Sequence, residues 1–233
     1  CDGIITVSEF SKNDIAKEFN FPKEKIFVTY LGAEDIYKPL DKKSCKEFLK
    51  NKYNIDKNFL LYVGGYSPRK NIIGILEAFS LLDSKLKENL YVVITGKKGI
   101  SYSIYMKRAK DLGIENSVIF TNFIHLEHLP LFYNACEFLV YPSFYEGFGL
   151  PPLEAMACGT PVIASNVTSI PEICSGSALL VDPYDIDELS SSMNELLSDN
   201  NLRGSMIKCG LDNCKKYSWS NTAKDTITAY KNI

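Results

Sequence analysis

The chain has 233 residues, 45% of them hydrophobic and 23% charged, with a formal net charge of -2. This is the balance of an ordinary soluble globular protein with room for a sizeable core. The near-neutral charge speaks against a nucleic-acid binder, which needs a basic face.

Ile4–Val7 reads as a short strand. Ser8 and Ser11 are candidate N-caps for a helix over about 12–19, and 25–30 as a second strand follows. "LGAEDIYKPL" has little periodicity and reads as a linker, and the Lys-rich stretch 41–57 as a solvated helix. A repeating pattern begins after Asn58. The apolar runs "FLLYVGG", "LYVVITG", "SVIFTNFI", "FLVYPS", "PVIAS" and "ALLVDP" have the continuous character of buried parallel strands. Helical spacing lies between them at 72–82, 105–112, 129–135 and in "LEAMACG", which a glycine closes. "DIDELSSSMNELLSD" is an amphipathic helix, and the tail from about Asn201 reads as two more helices broken near "YSWS". Strands alternating with helices predict an α/β domain with a parallel sheet, whose ligands sit beyond the carboxyl ends of the strands. The loops 64–71, 96–99, 121–125 and 143–152 are therefore the places to look.

Two of these loops carry suitable chemistry. In "VGGYSPRKN", Gly64 and Gly65 let backbone amides approach a ligand, and Arg69 and Lys70 stand before a helix N-terminus that favours anions. Arg69 is one of only three arginines, with Arg108 and Arg203. A diphosphate needs this combination, although cations at a helix start are more often merely solvated. Neither a P-loop nor a G-x-G-x-x-G fingerprint is present. In "YEGFGLPPLEA", Gly147 and Gly149 loosen the backbone and Pro151-Pro152 set the helix entry. Glu146 ends the turn and Glu154 is expected in the first helical turn, both projecting toward one crevice. A carboxylate accepts two parallel hydrogen bonds and suits a vicinal diol. The plainer reading of Glu154 is a complement to the helix dipole.

"EGFGLPPLEAMACGTPVIAS" resembles the E-x7-E motif of the retaining nucleotide-sugar glycosyltransferases of family 4 (group 1). "VGGYSPRKN" resembles their phosphate loop, and "DGIITVSEFSKNDI" their stretch before the domain crossover. The likeness runs from about Ile4 to the C-terminus. It implies a GT-B arrangement of two Rossmann-like domains. On this reading residues 1–40 are the remnant of an N-terminal acceptor domain and its linker. Residues 41–233 are then the C-terminal nucleotide-sugar-binding domain, a parallel sheet with helices on both faces, and the helix after Trp219 returns to the first domain.

The resemblance assigns Glu154 to the ribose hydroxyls and Glu146 to the donor sugar. It assigns the amides of Gly147, Phe148, Gly149 and Leu150, with Gly65, to sugar and diphosphate, and Arg69 and Lys70 to the leaving diphosphate. The backbone near Ile124 would meet the base, with Gly96 lining the same pocket. Many relatives place an arginine directly after the loop glycine. Tyr66 stands there in this chain, Lys70 matches its family position, and Arg69 takes over the charge. The implied activity is hexosyl transfer, with retention, from a UDP- or GDP-linked donor to a glycan or lipid-linked acceptor. Fixed cations at the leaving group would carry it. Neither carboxylate is expected to be a nucleophile, since a retaining glycosidase needs its pair flanking one bond at about 5 Å.

No D-x-D-like pair occurs in these loops, so metal-independent chemistry without a cofactor is expected. The alternative function is an isolated nucleotide-sugar-binding module, inactive without the acceptor domain. A dinucleotide oxidoreductase and a sugar-nucleotide epimerase fit the loops less well. The seven cysteines contain no C-x-x-C pair and read as reduced thiols, and with His125 and His128 as the only histidines a zinc site lacks imidazoles. Both histidines read as solvated, and the aromatics as core. No apolar run approaches the ~18 residues of a membrane span, and no secretory signal is visible. A cytoplasmic location is expected, with peripheral contact at the inner membrane face as a further option. The chain opens directly on a strand without Met, as expected of a piece of a longer protein.

Overall fold

A computed structural model of the chain describes every residue except Lys98, Ile100 and Ile233; Lys98, within the predicted loop 96–99, lies outside the described residues. The chain begins with β1 (Ile4–Thr6), α1 (Glu9–Glu18) and β2 (Ile26–Val28). β1 and β2 pair in parallel as a separate two-stranded sheet. Ser8 is the N-cap of α1, its side chain accepting from the Ser11 amide, so the helix starts three residues earlier than expected.

There follow α2 (Lys42–Tyr53), β3 (Asn58–Val63), α3 (Ile72–Ser80), α4 (Ser84–Glu88), β4 (Leu90–Thr95), α5 (Tyr102–Asp111) and β5 (Val118–Asn122). Then come α6 (Leu129–Ala135), β6 (Phe138–Tyr141), α7 (Leu150–Ala157), β7 (Val162–Ser165), α8 (Ile170–Cys174), β8 (Leu179–Val181), α9 (Ile186–Ser198), α10 (Asn200–Cys214) and α11 (Trp219–Asn232). All six predicted strands of the repeat are present and pair in parallel, in the order β5-β4-β3-β6-β7-β8. β3, β4 and β6 are almost wholly buried, which is why they read as unbroken apolar runs.

The strand order reverses after β5. β3, β4 and β5 step outward one way; the chain then returns past β3 and steps β6, β7, β8 the other way. Right-handed crossovers put the helices of the two halves on opposite faces. The packing of the crossover helices agrees: α3 meets α5, whereas α6 meets α7; outside the crossovers, α9 packs on α3, α2 on α6 and α10 on α7. The switch point lies at the ends of β3 and β6, the place where ligands of such sheets bind.

Three local expectations change. α2 is not simply solvated, because Cys45 and Leu49 are buried against α6. The predicted linker carries Tyr37, buried and edge-on to Tyr133. His128 is half-buried, with Nδ1 at 2.7 Å from Tyr53 Oη, and burial pulls its pKa down. All seven cysteines are free. Among the described residues no helix is long and apolar enough to cross a membrane.

Candidate functional site

β3 ends at Val63 and β6 at Tyr141, so the loops after them flank the switch point. The first loop turns through Gly64 (φ 155°) and a 3-10 turn at Pro68–Lys70 into α3, which Asn71 caps. The second runs from Pro142 to Gly149. The Phe144 amide donates to Arg69 O at 2.8 Å and joins the two.

Glu146 is at the centre. It is only 7% exposed, yet carries a carboxylate, which is tolerable only with partners. Lys70 Nζ donates to Oε1, and Arg69 Nη1 donates to Oε2 at 3.0 Å and to Tyr145 O at 2.7 Å. Tyr141 Oη donates to Oε1 at 2.9 Å and accepts from Lys70 Nζ at 2.8 Å. Burial would raise the Glu146 pKa, but the Lys70 bond and charge, together with the Ser143 and Tyr141 hydroxyls, outweigh it and hold the carboxylate below its usual range. Lys70 is 8% exposed, and burial lowers its pKa. Arg69 keeps half its side chain in solvent. The predicted trio thus comes together, each cation on its own carboxylate oxygen. Tyr66 turns inward instead, donating to Ile94 O and packing edge-on against Tyr105 and Phe120.

Glu154 is placed differently from expectation. α7 begins at Leu150, so Glu154 lies in its second turn, too far in for the dipole reading. Its carboxylate accepts from Tyr133 Oη at 2.7 Å, with Tyr37 alongside, while Glu146 faces Lys70 and Arg69. The two carboxylates therefore have separate partners. Burial raises the Glu154 pKa against the pull of the two tyrosines.

Gly149 is the N-cap of α7 at φ 120°, and no side chain caps the helix. Proline at both 151 and 152 removes two amides, so those of Phe148, Gly149 and Leu150 are the ones left to face a ligand there. The Phe148 side chain points the other way, among Tyr30, Tyr217, Leu153 and Ile173. Gly65 is exposed with open space above its Cα. The loops after β3, β4 and β5 are tied by Gly64 N to Thr95 O (3.3 Å) and Gly96 N to Asn122 O (3.2 Å). Gly96 sits at φ 142° so close to Gly64 O that any Cβ would collide with it. Ile124 is buried just beyond β5, three strand spacings from β6, or ~14 Å. The row of strand ends from β6 to β5 is thus long enough for an extended ligand. Among the described residues no cluster of His, Cys, Asp and Glu is placed to hold a metal ion.

Sequence reasoning missed Tyr141, Tyr133, Thr168 and Ser169. Thr168 Oγ1 accepts from the Glu146 amide at 3.2 Å, and Ser169 Oγ lies 3.0 Å from Glu146 O and 2.8 Å from Phe148 O. The dipeptide follows β7, and nothing in its composition marks it.

A family model described as "Glycosyl transferases group 1" matches residues 45–211. O-antigen chain mannosyltransferase B of Escherichia coli is 37% identical over 228 residues, which is 98% of this chain and 60% of that protein. The serotype-specific mannosyltransferase WbdA of Escherichia coli is 29% identical over 235 residues, all of this chain and 29% of that protein. Among solved structures, Anabaena Alr3699/HepE in complex with UDP and glucose superposes with a TM-score of 0.88 at 20% identity, over 100% of this chain and 64% of that one. Sucrose-phosphate synthase from Thermosynechococcus elongatus gives 0.82 at 24% identity, over 100% and 58%. The chain thus spans less than two thirds of the length of each of these two curated relatives.

Proposed function

The chain belongs to the group 1 glycosyltransferases, and from that premise we propose that it carries the donor half of a retaining family 4 hexosyltransferase. Residues 41–233 bind the nucleotide-sugar, and residues 1–40 belong to an acceptor domain and its linker. The observation that carries the reading is the pair of cations, Lys70 and Arg69, fixed on the two oxygens of buried Glu146 at the topological switch point. The relatives at 37% and 29% identity are named mannosyltransferases, which supports mannose as the sugar and a bacterial surface glycan as the acceptor class.

The donor diphosphate enters between the loops after β3 and β6, with Lys70 and Arg69 as its cations and the α7 amides as hydrogen-bond donors. Glu154 accepts from the ribose diol, and the base lies toward Ile124. As the bond from the anomeric carbon to the diphosphate oxygen breaks, its electron pair goes to the diphosphate. Charge then grows where the two cations already stand. Glu146, its two oxygens held by these cations, borders the sugar and stabilises the positive charge developing there. The acceptor hydroxyl attacks from the face the diphosphate leaves and gives its proton to the departing diphosphate oxygen, which preserves the anomeric configuration.

The test is calorimetric titration of the full-length protein with UDP, GDP, ADP and dTDP, with and without magnesium, followed by a transfer assay with the mannose-linked donor of the base that binds. One nucleotide should bind selectively and independently of magnesium. Lys70→Ala should lower transfer by ~10²–10³. Nucleotide binding unchanged in both Lys70→Ala and Glu154→Ala would overturn the site.

A further inference from the structure

Three consecutive residues at the centre of the site are held by four hydroxyl groups from two remote segments. Ser8 Oγ and Ser11 Oγ donate to Gly147 O at 2.7 and 3.1 Å. Ser169 Oγ lies between Glu146 O and Phe148 O, and Thr168 Oγ1 accepts a hydrogen bond from the Glu146 amide. Thr168 does this at φ 59°, a left-handed conformation that a β-branched residue rarely adopts. Such strain persists only where the surroundings enforce it and is concentrated at working sites.

The contact with α1 is broader than two hydroxyls. Tyr145, immediately before Glu146, donates its hydroxyl to Asp14 and packs edge-on against Phe10 with ring centres 5.6 Å apart. Glu172 of α8 accepts from the Glu9 and Phe10 amides at 2.8 and 3.1 Å, satisfying the first turn of α1. α1 therefore grips the residues on both sides of Glu146, while α8 holds α1 in place. Its strands pair in the small sheet, not in the six-stranded one.

We propose that Ser8, Ser11, Thr168 and Ser169 are positioning residues for Glu146: a hydroxyl clamp with one jaw fixed to the large sheet and the other carried by α1. The proposal rests on the role given to Glu146 above. It adds that seating of the small sheet on the large one sets the position of the Glu146 carboxylate. Donor-site geometry and the placement of residues 1–40 are then one variable.

Ser8 has two duties, and substitutions separate them. Ser8→Asp keeps the N-cap acceptor for the Ser11 amide but has no proton to give Gly147 O. Ser8→Asn keeps the cap and supplies an amide donor. Thr168→Gly removes the acceptor while relieving the left-handed backbone. The measurement is hydrogen exchange at the amides of residues 145–150 in the full-length protein, with thermal melting alongside.

Loss of both donors in Ser8→Asp/Ser11→Ala should speed exchange there by about tenfold, the weight of two hydrogen bonds, while β3 and β6 stay unchanged. Ser8→Asn should stay near wild type. Thr168→Gly should speed the same amides without lowering the melting temperature. Where transfer is measured, kcat should fall more than nucleotide affinity. Wild-type exchange in the double variant, or faster exchange in every element with a lower melting temperature, overturns the clamp. Exchange needs no donor or acceptor. A clamp response in a protein that binds no nucleoside diphosphate would therefore retain the clamp and remove the catalytic reading of Glu146.

Discussion

Glu146 and Glu154 lie eight positions apart and are pushed in opposite directions. The pKa of Glu146 is lowered, so its pairing contributes stability at neutral pH that is lost as pH falls through the folded-state value. That of Glu154 is raised, so the fold favours its protonated form, and stability rises slightly as pH falls through that higher value. On the role proposed for Glu154, function runs against stability there, because only the ionised form offers both oxygens as acceptors to a diol. Nucleotide affinity should therefore weaken with acid at a pH above the range of an ordinary glutamate. Glu154→Gln should flatten this dependence and weaken binding at all pH, as calorimetry at several pH values would register.

The Lys70–Glu146 pair gives a second test at this scale. Removing one member of a buried pair typically costs about 3–5 kcal/mol because the other charge is stranded. Glu146→Ala strands buried Lys70 with Tyr141 as its partner, whereas Lys70→Ala leaves Glu146 with Arg69. Glu146→Ala should be the costlier change, and the double variant should cost less than the sum in a denaturation cycle. Arg69, Lys70 and Glu146 were legible in the sequence because charge is conspicuous beside glycine-rich turns. Tyr141 was not: it ends an apolar strand and reads as core, and its role depends on which loop folds over it. Thr168 gave no signal, since threonine does not announce a positive φ.

At the scale of elements, the loops after β3 and β4 meet backbone to backbone. Gly96→Ala would drive a Cβ into Gly64 O, which is backbone and has no rotamer to yield, so it should destabilise the protein by at least ~1–3 kcal/mol. Gly149→Ala meets the end of the Ile170 side chain at 2.8 Å, which can turn away, so its cost is mainly that of the left-handed backbone. Gly65→Ala has open space and should stay within about 0.5 kcal/mol. Urea denaturation of the three variants would test this order. The four central strands β3, β4, β6 and β7 were readable because burial on both sides makes them continuously apolar, and the half-buried edge strands β5 and β8 still carry short apolar runs. α4 and α8, at five residues each, are too short for a helical period to show. α7 starts at Leu150, ahead of the helical pattern in "LEAMACG", because Pro151 and Pro152, expected to set the helix entry, themselves lie in its first turn.

For the molecule as a whole, the parallel sheet could be expected from the alternation of elements, but its strand order could not, because periodicity carries no information about neighbours. Nor did the sequence suggest two apolar clusters: a large one around the six strands, and a small one where Phe148, Leu153 and Ile173 meet Val7, Tyr30, Leu31 and Tyr217. Trp219, the single tryptophan, starts α11 with its backbone packed on Gly32 at the edge of that small cluster. The small cluster should open first, so Trp219 fluorescence in urea should change at a lower midpoint than far-ultraviolet circular dichroism; coincident midpoints would mean one cooperative unit.

The strand order also bears on how the protein comes to fold. β3 meets its neighbour β4 through nearby sequence, but meets β6 by pairing Leu60 with Phe138 across the intervening β4, β5 and their helices. Closing so long a loop is entropically slow, and long-range parallel pairing sets the pace of such folds. The crevice lies on that seam. Ligand competence should therefore return only in the slowest refolding phase, after most helical signal has recovered, and a nascent chain has no crevice until β6 has emerged and closed the sheet.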